Sequence, residues 1–89
     1  MTLSNPGADG ALTLDQALAW IAEIFEEPVM TRTTLRRDIP AWDSLGQLIL
    51  MSVLDQRFGI RLTPAELSSL SSVQDILNIL TTHHRLQAD

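Results

Sequence analysis

Ser44 stands between Asp43 and Leu45 at the head of an apolar stretch that runs to Phe58 and stops at Gly59. A hydroxyl placed there sits at the positive end of a helix. Backbone N–H groups at that end lack intrahelical acceptors, and the helix dipole favours negative charge. The chemistry such a serine suits is covalent attachment of an anionic prosthetic group. The plainer reading is a serine that only caps the helix, a position that Asp and Ser both favour.

The other chemistry-bearing residues form no constellation around it. A hydrolase built on Ser44 needs a general base and an oxyanion hole, and the two histidines, His83 and His84, lie at the end of a different helix. Neighbours on a helix point about 100° apart, and a metal site needs several convergent ligands, so the histidines read as part of a solvated tail. Glu26 and Glu27 read as a solvated surface pair. Arg36 and Arg37 read as solvent-facing, with pairing to acids of the next helix or of a partner as the other option. Trp20 and Trp42 read as packing residues, although the position of Trp42 beside Ser44 leaves contact with whatever Ser44 carries open as a second role. Nothing in the chain reads as catalytic machinery or as a metal site, so an enzyme is not expected.

With 89 residues, the chain is one small domain at most, and its apolar fraction of 45% supports a modest core. Eleven acidic residues face six basic ones, all arginine and all scattered, for a formal charge of −5. A nucleic-acid binder needs a basic patch to neutralise phosphates, so nucleic acid is not an expected partner. The acidic balance suits a protein that docks on basic surfaces. With no cysteine there is no disulfide and no thiolate chemistry. The N-terminal stretch lacks the pattern of a signal peptide, and no apolar run approaches membrane-spanning length. A cytoplasmic monomer without membrane insertion is the expectation.

The elements that must position Ser44 follow from periodicity and caps. Residues 1–12, with Pro6, Gly7 and Gly10, read as a flexible arm, 13–83 as the domain and 84–89 as a frayed tail. Thr13 with Gln16 is a capping-box pattern. Leu14, Leu18, Ile21, Ile24 and Phe25 then recur at helical spacing, with Pro28 as the stop. Residues 28–42 form a long connection whose threonines and Pro40 argue against a helix. Its apolar members Val29, Met30, Leu35, Ile39 and Trp42 argue that it is packed down. The second helix runs from about Ser44 to Phe58, with Asp43 as N-cap and Gly59 as left-handed C-cap. Thr63-Pro64-Ala65-Glu66 opens a short third helix that ends near Ser69. Ser71 or Ser72 caps a fourth carrying Val73, Ile76, Leu77, Ile79 and Leu80. The fold class is all-α: a small four-helix bundle with a short third helix and a long loop between the first two.

On a helical wheel the second helix has two apolar faces. Leu50, Leu54 and Phe58 stack at four-residue spacing with Gln47 and Met51 beside them, and this face should enter the core. Leu45, Leu48, Ile49 and Ser52 lie opposite with Gln56. That second face is either covered by the long loop or exposed as a docking patch beside Ser44.

The stretch from Asp38 to Leu80 resembles the acyl and peptidyl carrier proteins. The resemblance rests on Asp43-Ser44-Leu45 at the start of the second helix and Phe58-Gly59-Ile60 at its end. The short third helix and the opening Ser72-Val73-Gln74-Asp75-Ile76 of the fourth add to it. It implies that Ser44 carries a 4'-phosphopantetheine arm whose thiol holds an acyl or aminoacyl cargo as a thioester, delivered between enzymes. It implies that Asp43 helps hold the metal ion that the phosphopantetheinyl transferase brings. It implies too that Leu45 contacts the transferase and then the loading enzyme and downstream biosynthetic enzymes. Leu45, Leu48, Ile49 and Ser52 are the expected partner-docking residues. Many fatty-acid carriers place acids along the exposed part of this helix, where this chain has Gly46, Gln47 and Ile49. The lead-in Ala41-Trp42-Asp43 also departs from the glycine-rich version and is more similar to free-standing carriers of specialised pathways, D-alanyl carriers among them. The alternative function is a helical docking module of the same fold that is never modified.

Overall fold

The computed structural model describes residues 11–87. Residues 1–10 of the expected arm and 88–89 of the expected tail lie outside that range. The described residues form α1 (Leu14–Ile24), α2 (Ser44–Phe58), α3 (Pro64–Ser68) and α4 (Val73–Thr82), with a single 3₁₀ turn at Arg36–Asp38 in the long connection. The all-α architecture matches the expectation from the sequence.

Local chemistry accounts for each helix start. In α1, Gln16 N–H donates to Thr13 Oγ1 (3.1 Å) while Thr13 N–H donates to Gln16 Oε1 (3.0 Å). Thr63 and Glu66 repeat this reciprocal box at α3, with Pro64 in the first turn. For α4 the structure selects Ser72 as the cap, its Oγ accepting from Asp75 N–H (3.2 Å). Asp75 in turn accepts from Ser71 N–H (2.8 Å) and from its hydroxyl (3.1 Å). Each pairing satisfies donors that the helix geometry leaves open.

The ends are less predictable from composition. The helix α1 does not run to Pro28. It closes at Phe25, where Glu27 N–H reaches back to the Ala22 carbonyl (2.9 Å) and Glu26 N–H to Glu23 (3.3 Å). This closure requires a left-handed residue, and Glu26 fills the position at φ 56°. The end of α4 has the same form: Arg85 N–H donates to Leu80 O, with His84 left-handed at φ 60°. Gly59 closes α2 as expected, at φ 69° with its N–H on the Asp55 carbonyl.

Leu50 and Leu54 of α2, Ile21 of α1 and its C-cap Phe25, and Ile76 and Leu80 of α4 are fully or almost fully buried. Burying each such side chain contributes about 1.5–3 kcal/mol. Trp20 meets Phe58 edge-on at 5.4 Å between ring centres, which pins α1 against the end of α2. Residues 85–87 run alongside Leu12: Leu12 N–H donates to Arg85 O and Gln87 N–H to Leu12 O, both at 2.7 Å. Leu12 is buried there. Among the described residues no helix is long and apolar enough to cross a membrane.

The connection between α1 and α2 is tied down at its middle. Arg36 N–H donates to Ser71 O (2.8 Å) and Val73 N–H to Thr34 O (2.9 Å), a short antiparallel bridge to the start of α4. Met30, Ile39 and Trp42 are buried and Leu35 half-buried, but Val29 is exposed. The expectation that all five pack inward therefore fails at Val29. It lies just after the α1 closure, before the chain turns back onto the core.

Candidate functional site

The N-terminus of α2 is built by Asp43. Its Oδ1 accepts from Gly46 N–H (2.9 Å), and its main-chain carbonyl accepts the first helical bond from Gln47 N–H (2.8 Å). Asp43 is thus the cap, and Ser44 is the first helical residue. The Ser44 side chain is exposed, and among the described residues its Oγ has no hydrogen-bond partner. The Ser44 and Leu45 N–H groups likewise donate to no protein acceptor among the described residues. The capping reading of Ser44 does not hold, because that role is filled by its neighbour. What remains is a solvent-facing hydroxyl beside two open donors at the positive end of a helix.

Three contacts fix the position of this turn. Gly46 lies against the incoming loop so closely that an added Cβ would stand 2.0 Å from Ala41 O. Trp42 is buried and stacks on Phe25 with ring centres 5.0 Å apart and 16° between planes. Arg36 closes over the outer side, its Nε donating to Trp42 O (3.0 Å) and its guanidinium centre 5.9 Å from the indole. Trp42 is accordingly a packing residue, and Arg36 is held by the loop rather than freely solvated. Arg37 is exposed.

Gln47 is the buried polar side chain of the core. Its Oε1 accepts from Trp42 Nε1 (2.5 Å) and its Nε2 donates to Leu67 O (2.5 Å). One amide thereby joins the loop, α2 and α3, and satisfies two groups whose orphaning would cost about 1–3 kcal/mol each. Gln47 enters the core as the helical wheel expects, between Trp42 and Leu67, whereas the comparison with the acidic exposed positions of fatty-acid carriers fails at Gly46 and Gln47, since both are buried, Gly46 under Ala41. The sequence pattern gives the core position of Gln47 but not its two partners. The available signal was a lone amide on an otherwise apolar face, five residues after a tryptophan.

The opposite face of α2 is open. Leu45, Leu48 and Ile49 are 65%, 53% and 43% exposed, and Ser52 is exposed beside them with its Oγ accepting from Gln56 Nε2 (3.3 Å). The long loop does not cover this face, so the option of a covered face is excluded. Glu26 and Glu27 sit at the α1 closure. His83 is the residue that ends α4, and His84 follows it.

No protein-family profile and no curated protein matches the sequence. Among solved structures, the chain is similar to a holo acyl carrier protein from Geobacter metallireducens determined by solution NMR. The two are 30% identical, the match covers 80% of this chain and 84% of that one, and the TM-score is 0.67. The likeness places the chain among small helical carriers, a non-catalytic fold. The chain belongs to the acyl carrier protein family.

Proposed function

We propose that the protein tethers an acyl or aminoacyl intermediate on a 4'-phosphopantetheine arm esterified to Ser44 and delivers it to partner enzymes. The observation that carries this reading is the division of labour at the α2 N-terminus. Asp43 caps the helix, leaving Ser44 Oγ exposed and unengaged beside two open N–H donors. These donors and the helix dipole favour the phosphate of such an arm, so the residues present fit the group. When bound, the arm supplies a terminal thiol that holds the cargo as a thioester.

The residues themselves do the positioning. Asp43 spends Oδ1 on Gly46 N–H, and among the described residues Oδ2 has no partner; this oxygen is available to the metal ion of a phosphopantetheinyl transferase. Gly46, Trp42 and Gln47 fix the height of the loop against α2 and so keep Ser44 outward. Leu45, Leu48, Ile49 and Ser52 offer the partner-facing surface, first to the transferase and then to the loading and downstream enzymes. An apolar patch next to the attachment point supports that assignment, because association there buries surface that is otherwise wet. The carrier performs no catalysis; tethering raises the local concentration of the intermediate at each partner.

The test is incubation with a broad-specificity phosphopantetheinyl transferase and coenzyme A, followed by intact mass. Wild type should gain one arm, and Ser44→Ala should fold and gain none. If wild type gains nothing, the protein is an unmodified docking module that uses the same open face of α2.

A further inference from the structure

A groove of about 740 Å³ opens beside the proposed attachment point, between the long loop and the segment that joins α3 to α4. It begins at Trp42, only two residues from Ser44, so the two Cα atoms are at most about 7 Å apart. Its floor is apolar, made by the buried side chains of Ile39, Trp42 and Leu70. Its rim carries Arg36 and Arg37, and no acidic residue lines it. Asp75, which accepts from Ser71 of the groove, does not line it and belongs to a separate hollow with Glu66 and Asn78.

This concentration of cation is unusual for the chain. Its net charge is −5 and it has six arginines in all, yet two of them stand at one groove. Among the described residues neither has a carboxylate partner. Arg36 is moreover pre-positioned: Nε is fixed on Trp42 O and the guanidinium lies over the indole, while both Nη groups remain open. A planar guanidinium with two open N–H corners matches a carboxylate in bidentate geometry. A purely alkyl occupant would instead cover guanidinium groups without giving them an acceptor, which is unfavourable.

We propose that this groove binds the free end of the tethered cargo, and that it takes an acyl unit ending in a carboxylate, held by Arg36 and Arg37 over the Trp42 floor. The inference rests on Ser44 carrying the arm. The full chain, labelled with 15N, is loaded by a broad-specificity transferase from hydrolysis-resistant coenzyme A analogues whose arms end in succinyl or in butyryl, with release of adenosine 3',5'-bisphosphate. Loading is verified by intact mass, and the Nε–H signals of Arg36, Arg37 and Trp42 are followed. The succinyl form should shift all three relative to the protein bearing the bare arm, and the butyryl form should leave both arginine signals in place. Arg37→Gln, at an exposed side chain with no intramolecular bond, should retain the fold and lower the bound-to-free ratio of the succinyl unit about tenfold, the loss of one charge-assisted hydrogen bond. Equal responses to succinyl and butyryl, or arginine shifts complete on attachment of the bare arm, overturn the proposal while leaving the carrier function intact. Absence of any mass gain overturns the carrier function itself, and this proposal with it.

Discussion

Gly46→Ala sets helix propensity against packing, and the structure decides the sign. Replacing glycine by alanine inside an exposed helix is favourable by about 1 kcal/mol. Here the new methyl group would meet Ala41 O at 2.0 Å, far inside the distance of about 3.5 Å at which such atoms attract. The obstacle is main chain, so no side-chain rotation relieves it. The loop must retreat by more than an ångström, and it is anchored on both sides of Ala41 by buried Ile39 and Trp42. Overpacking of this kind costs about 1–3 kcal/mol, and disturbing the Trp42–Phe25 stack adds about 0.5–1.5 kcal/mol. Setting these against the propensity gain leaves a net loss of about 2 kcal/mol, or a fall in Tm of roughly 10 °C for a domain of this size. Thermal melts followed by circular dichroism measure it, and Trp42 fluorescence reports the displaced stack. Because the same turn holds Asp43 and Ser44, arm transfer should also slow. Gly59→Ala is the control: nothing lies within 4 Å of its Cβ, so its loss reflects only the left-handed backbone and should leave arm transfer unchanged. A Gly46→Ala protein as stable as wild type, with normal fluorescence, would refute the argument from close approach.

Asp43→Ala removes the α2 cap and should lower stability by about 1 kcal/mol while slowing arm transfer; unchanged melting together with an unchanged transfer rate removes Asp43 from both roles. Ile49→Glu should leave Tm near wild type, since the side chain is on the open face, but weaken binding to the cognate loading enzyme about tenfold or more by placing an unpaired carboxylate in a desolvated contact. Wild-type binding should fall only mildly with salt, because apolar burial is not screened as exposed charge is; steep salt dependence with unaffected Ile49→Glu binding defeats the apolar-docking reading. Glu26→Gly should stabilise by up to about 1 kcal/mol, because a left-handed residue with a Cβ is disfavoured by about 1–2 kcal/mol and the larger unfolded-state entropy of glycine offsets part of that; chemical denaturation showing a loss instead would mean that the Glu26 side chain makes a stabilising contact. The Ser71 N–H bond, and secondarily the Ser71 and Ser72 hydroxyls, hold the Asp75 carboxyl below its ordinary value. A lowered folded-state pKa means the contribution is full above the ordinary carboxylate range and disappears as pH falls through the folded value. The difference in Tm between wild type and Asp75→Asn should therefore be largest near pH 7 and shrink as the pH falls below the ordinary carboxylate range, and a difference independent of pH contradicts the linkage.

The sequence by itself determined the features that depend on near neighbours. Thr13 with Gln16, Thr63 with Glu66, and Asp43 ahead of α2 are contacts three residues apart, closed within a single helical turn, so residue type and spacing suffice to see them. Gly59 is legible for the same reason, since a left-handed closure strongly favours a residue without Cβ. The two faces of α2 follow from its 3.6-residue period, and Ser44 could be singled out because its place at the head of that helix is a local property. Tertiary structure alone decided whether the second face, that of Leu45, Leu48 and Ile49, meets solvent, because that depends on where the loop runs, and the loop pairs instead with the start of α4 through Leu35 and Ser72. It also decided the closures at Glu26 and His84, exposed residues left in a conformation that their own preferences disfavour where the next N–H returns to Ala22 O and Leu80 O. The contacts that fix the site in space belong to the same class: Gln47 reaches Leu67, twenty positions along the chain, and Gly46 is needed only because Ala41 arrives on top of it. Such pairings carry no periodic signal. They arise when separate elements are pressed together at core density, where one methyl group more or one hydrogen bond fewer changes the energy by as much as a cap does.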